Sequence, residues 1–206
     1  MRPPATSRSR AARMGLHGAK HALDIVLHPL SIYALLTVYA LPTEARWVGI
    51  ALGLVGPVLV GIGLQQTRKV KSFFSATRRH DKLLLLLTGI IFYSALLTFC
   101  IRIGMPALVR TIPLSALAAL SAALLLLHLP KCEMNGHFVA LAVLETHVAV
   151  LAIRLNLLLA LPAIIALLAT GVKAYLWMEM GGMSLRTLAR SILLGVAVTL
   201  ICYWLV

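Results

Sequence analysis

Long apolar runs broken by short polar segments set the rhythm of this chain. Seven near-continuous hydrophobic stretches occur, at 23–41, 47–64, 83–103, 108–129, 138–153, 155–177 and 187–206. Each approaches the roughly 20 apolar residues that a helix needs to cross a hydrocarbon core of about 30 Å. Unpaired backbone is barred from lipid, so the loops should fall between these stretches. The fifth is short and is divided from the sixth by Arg154 and Asn156. A tight turn and one long bent helix both fit there. Two helices are the better reading, since one helix over 138–177 would run about 60 Å, twice the bilayer. The pattern predicts an all-α, polytopic transmembrane helical bundle of about seven helices. A basic, disordered tail over 1–21 would precede a single membrane domain over 22–206.

Composition excludes the alternative of a water-soluble domain. The chain is 61% hydrophobic and 12% charged, with a mean hydropathy of +0.96. A small soluble domain leaves too much of its area in water to hide that apolar content. Charge then supplies an orientation. With seven spans, the tail and the loops at 65–82, 130–137 and 178–186 share one side, which holds 15 of the 19 Lys and Arg residues. Arg46, Arg102, Arg110 and Arg154 remain on the other side. By the positive-inside rule the amino terminus is cytoplasmic. The net charge of +13 has the same origin; no basic run is interleaved with aromatics on a soluble surface, so no nucleic-acid partner is expected.

Residues 1–20 are rich in Arg, Ser and Pro and contain no acid. A disordered cytoplasmic tail, a cleaved signal peptide using 22–40 and an organelle transit peptide compete for them. Asp24, His28 and Pro29 would interrupt a signal-peptide core, which favours the tail. The three cysteines form no CxxC and are odd in number, which points to neither a disulfide framework nor a zinc site. No repeat of 20–50 residues shows, nor any paired halves of a transporter. Walker, Gly-x-Ser-x-Gly and His-Glu-x-x-His patterns and paired prenyl-diphosphate aspartates are absent.

Ionisable residues inside a span cost about 2.5–3.5 kcal/mol on insertion scales, so each asks for an explanation. His17, His21, Asp24 and His28 fall within about 60° of arc on a helix. That stripe fits either a divalent-metal or proton-relay site or an interfacial polar face; the interfacial face is preferred, because metal sites draw on more than one element. Glu133, Asn135 and His137 open the fifth span, and Glu145 and His147 lie inside it, pointing nearly opposite ways. An ion pair of Glu145 with Arg102 or Arg154 is the structural expectation. The loop at 65–82 carries Lys71, Arg78 and Arg79. Such donors at a membrane surface suit phosphate, or record topology alone.

Taken in order, these pieces resemble the type 2 phosphatidic acid phosphatase (PAP2) superfamily, especially its small divergent bacterial members. The resemblance rests on His28-Pro29 at the first helix, on Arg78-Arg79-His80-Asp81-Lys82, on Asn135-Gly136-His137, and on a Gly-rich loop before the last helix. It implies a helical membrane core in a bacterial plasma (inner) membrane and removal of phosphate from lipids by a histidine nucleophile without a metal or other cofactor. Lys71 and Arg78 match the spacing of the first family motif, with Arg79 where Pro is expected. Asn135-Gly136-His137 matches the end of the second, whose histidine is the general acid. In the third, Met183 stands at the nucleophilic histidine, Trp177 at the arginine and Thr187 at the orienting aspartate. A thioether cannot take up phosphate usefully, although Arg186 and Arg190 can hold an anion.

The resemblance implies a phosphate- or headgroup-binding membrane protein with degenerate catalytic motifs and membrane lipids as partners. Lys71, Arg78, Arg79, Asn135, Gly136 and Arg186 would bind the anion and His137 would act as acid. The competing expectation is a non-enzymatic structural protein or small-solute permease, with Glu145, His147 and Arg154 lining a polar path.

Overall fold

The computed structural model describes residues 43–67, 79–129, 132, 134–155, 160–179 and 183–206. The tail, the first predicted span at 23–41 and the His17/His21/Asp24/His28 stripe lie outside the described residues. Among those described, the structure is helical without strands, and the six remaining predicted spans correspond to six helices. Helix α1 is built of Thr43–Ile50, a π-helical turn Ala51–Val55, and Gly56–Gln66. It is followed by α2 (Arg79–Arg102), α3 (Ala107–Leu127), α4 (Gly136–Leu155), α5 (Ala160–Glu179) and α6 (Leu185–Leu205). Five stretches are long and apolar enough to cross a bilayer: Ala45–Gln66, Arg79–Arg102, Ala107–Leu127, Gly136–Arg154 and Leu185–Leu205. The stretch 138–177 is divided between two helices, α4 and α5.

One boundary differs from expectation. Arg79, His80, Asp81 and Lys82 were expected in a loop but form the first turn of α2. Hydropathy marks where lipid begins, whereas the helix continues until its terminal N–H groups reach polar partners. Asp81 in that first turn suits the positive end of the helix dipole. Its side chain is buried and lies 3.9 Å from His80 Nδ1.

Small residues make the contacts between helices. Ala45, Gly49, Gly53, Pro57 and Gly61 recur every fourth position on α1, and all are buried. They form one stripe that packs toward α2, while Trp47, Val55 and Leu59 face outward. Association in lipid depends on such close backbone approach, because the tails are as apolar as the side chains. Between α2 and α3, Gly104 takes a positive φ of 68°. The Met105 N–H then reaches back to the Cys100 carbonyl at 2.9 Å, closing the helix before Pro106 opens the next.

Helix α4 is the centre. Phe138, Val139, Leu141, Ala142, Val143 and Leu144 are all buried, because α3, α5 and α6 pack around it. Helices α4 and α6 run parallel in constant register. Asn135 meets Ser191 and His147 meets Tyr203, each 56 residues apart. Gly195 sits against Val139 at the same offset, where a Cβ would lie 2.5 Å from the Val139 carbonyl oxygen. Polar side chains in the spans are concealed by bonding their own helix: Thr88 to Leu84 O, Thr98 to Ser94 O, Thr146 to Ala142 O and Thr199 to Gly195 O, at 2.7–2.9 Å. Trp47 and Trp204 are highly exposed where α1 begins and α6 ends, positions that suit an aromatic belt.

Candidate functional site

Among the described residues, three polar groups interrupt the apolar packing around α4. The first lies where α4 begins. Its N-terminus is fastened by Asn135, whose side-chain oxygen accepts from the His137 N–H at 3.1 Å. The Asn135 N–H in turn donates to Ser191 Oγ of α6 at 2.9 Å. The Ser191 hydroxyl donates to the Thr187 carbonyl at 2.7 Å. Helices leave their first N–H groups unpaired, and here the sequence supplies both a local cap and a neighbouring hydroxyl.

His137 is met by Lys173 of α5, whose ammonium is hydrogen-bonded to His137 Nε2. An ammonium has only donors, so Nε2 accepts and Nδ1 carries the ring proton. Lys173 is fully buried. The His137 ring stands edge-on to Phe138, and Phe138 stands edge-on to Trp177, with centroids 5.9 and 6.1 Å apart. Arg186 is exposed in the first turn of α6, where Ser184 accepts from the Thr187 N–H at 3.2 Å. Gly136 starts α4 beside Leu86, and Arg79 is exposed at the start of α2. Lys71, Arg78 and Glu133 lie outside the described residues.

The positions that the resemblance aligned with the third motif gather near this point, but with different chemistry. Trp177 is buried with Phe138, Leu141, Ala174 and Leu188, and Met183 packs against the same cluster. Thr187 serves the Ser184 cap. Neither the Trp177 indole nor the Met183 thioether can act as the nucleophile, and the Thr187 hydroxyl is hydrogen-bonded to Ser184.

The second group ties three helices together. His147 is completely buried. Its Nε2 lies 2.5 Å from Ser115 Oγ of α3, and its Nδ1 lies 2.7 Å from the Tyr203 hydroxyl of α6. Ser115 also donates to the Ile112 carbonyl at 3.0 Å. One neutral imidazole satisfies every atom: Tyr203 donates to Nδ1, Nε2–H donates to Ser115, and Ser115 donates onward. The Arg154 guanidinium covers the Tyr203 ring, 5.6 Å from its centroid. This closed strut leaves no polar atom aimed at a passing solute. A void lined by Tyr93, Ala116, Ala119, Leu120 and Val143 is apolar and about 10 Å³, at the lower limit for one water and without the polar partners a water needs.

The third group corrects an expectation. Glu145 forms no ion pair with Arg102 or Arg154. Arg154 is nine residues on, about 13 Å along α4, and is turned to Tyr203; Arg102 is exposed at the end of α2. Glu145 instead faces Thr170 of α5. As the two-residue spacing implied, Glu145 and His147 point to different neighbours, so Glu145, His147 and Arg154 form no single path.

Ser115, Lys173, Ser191 and Tyr203 were not legible as partners. Lys173 alone carried a signal, as the only charged residue between 155 and 177. Among the described residues no three His, Cys, Asp or Glu side chains gather as a metal site. No family model matches the chain, and neither a curated protein nor a solved structure matches it; what the chain does must be argued from these three polar groups.

Proposed function

We propose that this integral membrane protein binds a phosphate-bearing lipid headgroup where α2, α4 and α6 begin, with a PAP2-like layout and degenerate catalytic motifs. The observation that carries the reading is the Lys173–His137 pair beside the Asn135–Ser191 bond. It puts a cation and an imidazole N–H next to the opening turns of α4 and α6. Arg186 belongs to that opening turn of α6 and Arg190 to the turn after it, and Arg79 and Lys82 belong to the opening turn of α2. Phosphate oxygens are recognised by such charge-assisted donors at a membrane surface. Lys71 and Arg78, which precede α2 in the chain, would complete the anion site. The charge bias favours the cytoplasm for this end, and the PAP2 resemblance suggests the plasma membrane of a bacterium.

Phosphoryl transfer is not part of the proposal. Met183 in an apolar cluster offers no nucleophile, and His137 Nε2 is engaged by Lys173. The test is thermal unfolding of the full chain in mixed micelles with increasing phosphatidate or phosphatidylcholine, alongside a phosphate-release assay. A ligand that binds only the folded form raises the unfolding temperature. Phosphatidate should raise it for the wild type, much less for His137→Ala and Arg186→Ala, and no phosphate should be released. An equal rise with phosphatidylcholine, or in the variants, would refute headgroup recognition.

A further inference from the structure

We infer that Glu145 and Thr170 form a proton-binding site between α4 and α5, at the middle of the membrane. Glu145 is the tenth of the 20 residues of α4. It therefore lies about 15 Å from either end of the helix, half the thickness of a hydrocarbon core of about 30 Å. Two oxygens are orphaned there. Glu145 Oε1 and Thr170 Oγ1 are both buried and lack a hydrogen-bond partner among the described residues. Thr170 is 6% exposed and, unlike Thr88, Thr98, Thr146 and Thr199, does not bond its own helix. Thr170 is the side chain of α5 that interacts with the Glu145 carboxyl.

Among the described residues, the groups that could neutralise a carboxylate are engaged or lie at other levels of the bundle. On α5, Lys173 bonds His137, eight residues and about 12 Å up α4 from Glu145. On α6, Tyr203 bonds His147, and Arg190 lies in the second turn from its start. On α3, Arg110 lies in the first turn. On α4 itself, His147 is turned to α3 and α6, and Arg154 covers Tyr203. A buried carboxylate without a cation is unfavourable, and such groups neutralise instead. A proton taken up from water removes the charge and creates a single O–H donor. Donated to Thr170 Oγ1, it satisfies both orphaned oxygens at once. Glu145 as a residue is half-buried although its Oε1 is fully covered, and Ile164, Ile165, Leu167 and Leu168 of α5 are exposed. The proton therefore sits at the seam between α4 and α5.

The site is independent of the headgroup proposal, since it shares no residue with it. The experiment is infrared difference spectroscopy at neutral pH on the full chain in lipid nanodiscs, wild type minus Glu145→Gln. A protonated-carboxyl stretching band should appear in the difference, and its frequency should shift in Thr170→Val. Glu145→Gln mimics the neutral acid and should unfold at the wild-type temperature. A difference containing only ionised-carboxylate bands overturns the proposal; an unchanged band in Thr170→Val overturns the sharing with Thr170. Should a variant not fold, a lipid-soluble carbodiimide applied to the wild type decides. It reacts with protonated carboxyls in apolar surroundings, so mass spectrometry should find Glu145 modified at neutral pH, and an unmodified Glu145 peptide refutes the site.

Discussion

Gly195 shows how a single hydrogen atom in place of a methyl can govern a helix contact. A Cβ there would lie 2.5 Å from the Val139 carbonyl oxygen and 2.7 Å from Ala142 Cβ. Neither neighbour is the flexible end of a long side chain, so α4 and α6 would have to separate. Gly195→Ala should cost about 1–3 kcal/mol, the range for overfilled packing, read as a lower unfolding temperature in detergent. Gly63→Ala is the control, because nothing lies within 4 Å of its added carbon; its stability should be unchanged or slightly raised by better helix propensity. The sequence marks both as glycines in apolar runs and cannot distinguish them. The difference lies in what another helix brings to that spot.

At the scale of elements, His147 decides how α3, α4 and α6 are fastened. Its two ring nitrogens reach Ser115 and Tyr203 on different helices. Interhelical hydrogen bonds in membranes contribute on average about 0.6 kcal/mol, with a maximum near 1.7. His147→Leu should thus lose about 1–3 kcal/mol. A double-mutant cycle with Tyr203→Phe should show non-additivity, since the second change removes a bond already lost. Additive losses would mean that the two side chains stabilise their helices separately. The elements themselves were readable in advance: six apolar stretches became six helices, and the break near Arg154 separates α4 from α5. The ends were less readable. Arg79 to Lys82 read as loop by hydropathy, yet the backbone there is helical.

For the molecule as a whole, the helix ends joined by the connections at 66–79, 127–136 and 179–185 lie at one end of the bundle, since successive helices alternate in direction. Native Cys132 is in one of these connections, while Cys100 and Cys202 are buried. Charge bias predicts that this end is cytoplasmic. A membrane-impermeant maleimide should therefore label Cys132 only after cells are permeabilised, and labelling of intact cells would reverse the orientation. The proposed headgroup site shares this end with Cys132, and the proposed proton site lies half a membrane away. Loss of one function by mutation should leave the other intact.

The amino-acid sequence by itself determined the solvent, the helical class and most of the spans. These follow from hydrophobic run length and from the need to pair every backbone group in lipid, and both are local properties. Only the tertiary structure decided which polar residues meet. Lys173 finds His137, Ser115 and Tyr203 find His147, and Glu145 finds Thr170 rather than an arginine. Those pairings depend on which helices are neighbours, their relative direction and their register along one another. No periodicity within a single helix encodes these relations, because they arise from the packing of side chains across the gap between helices.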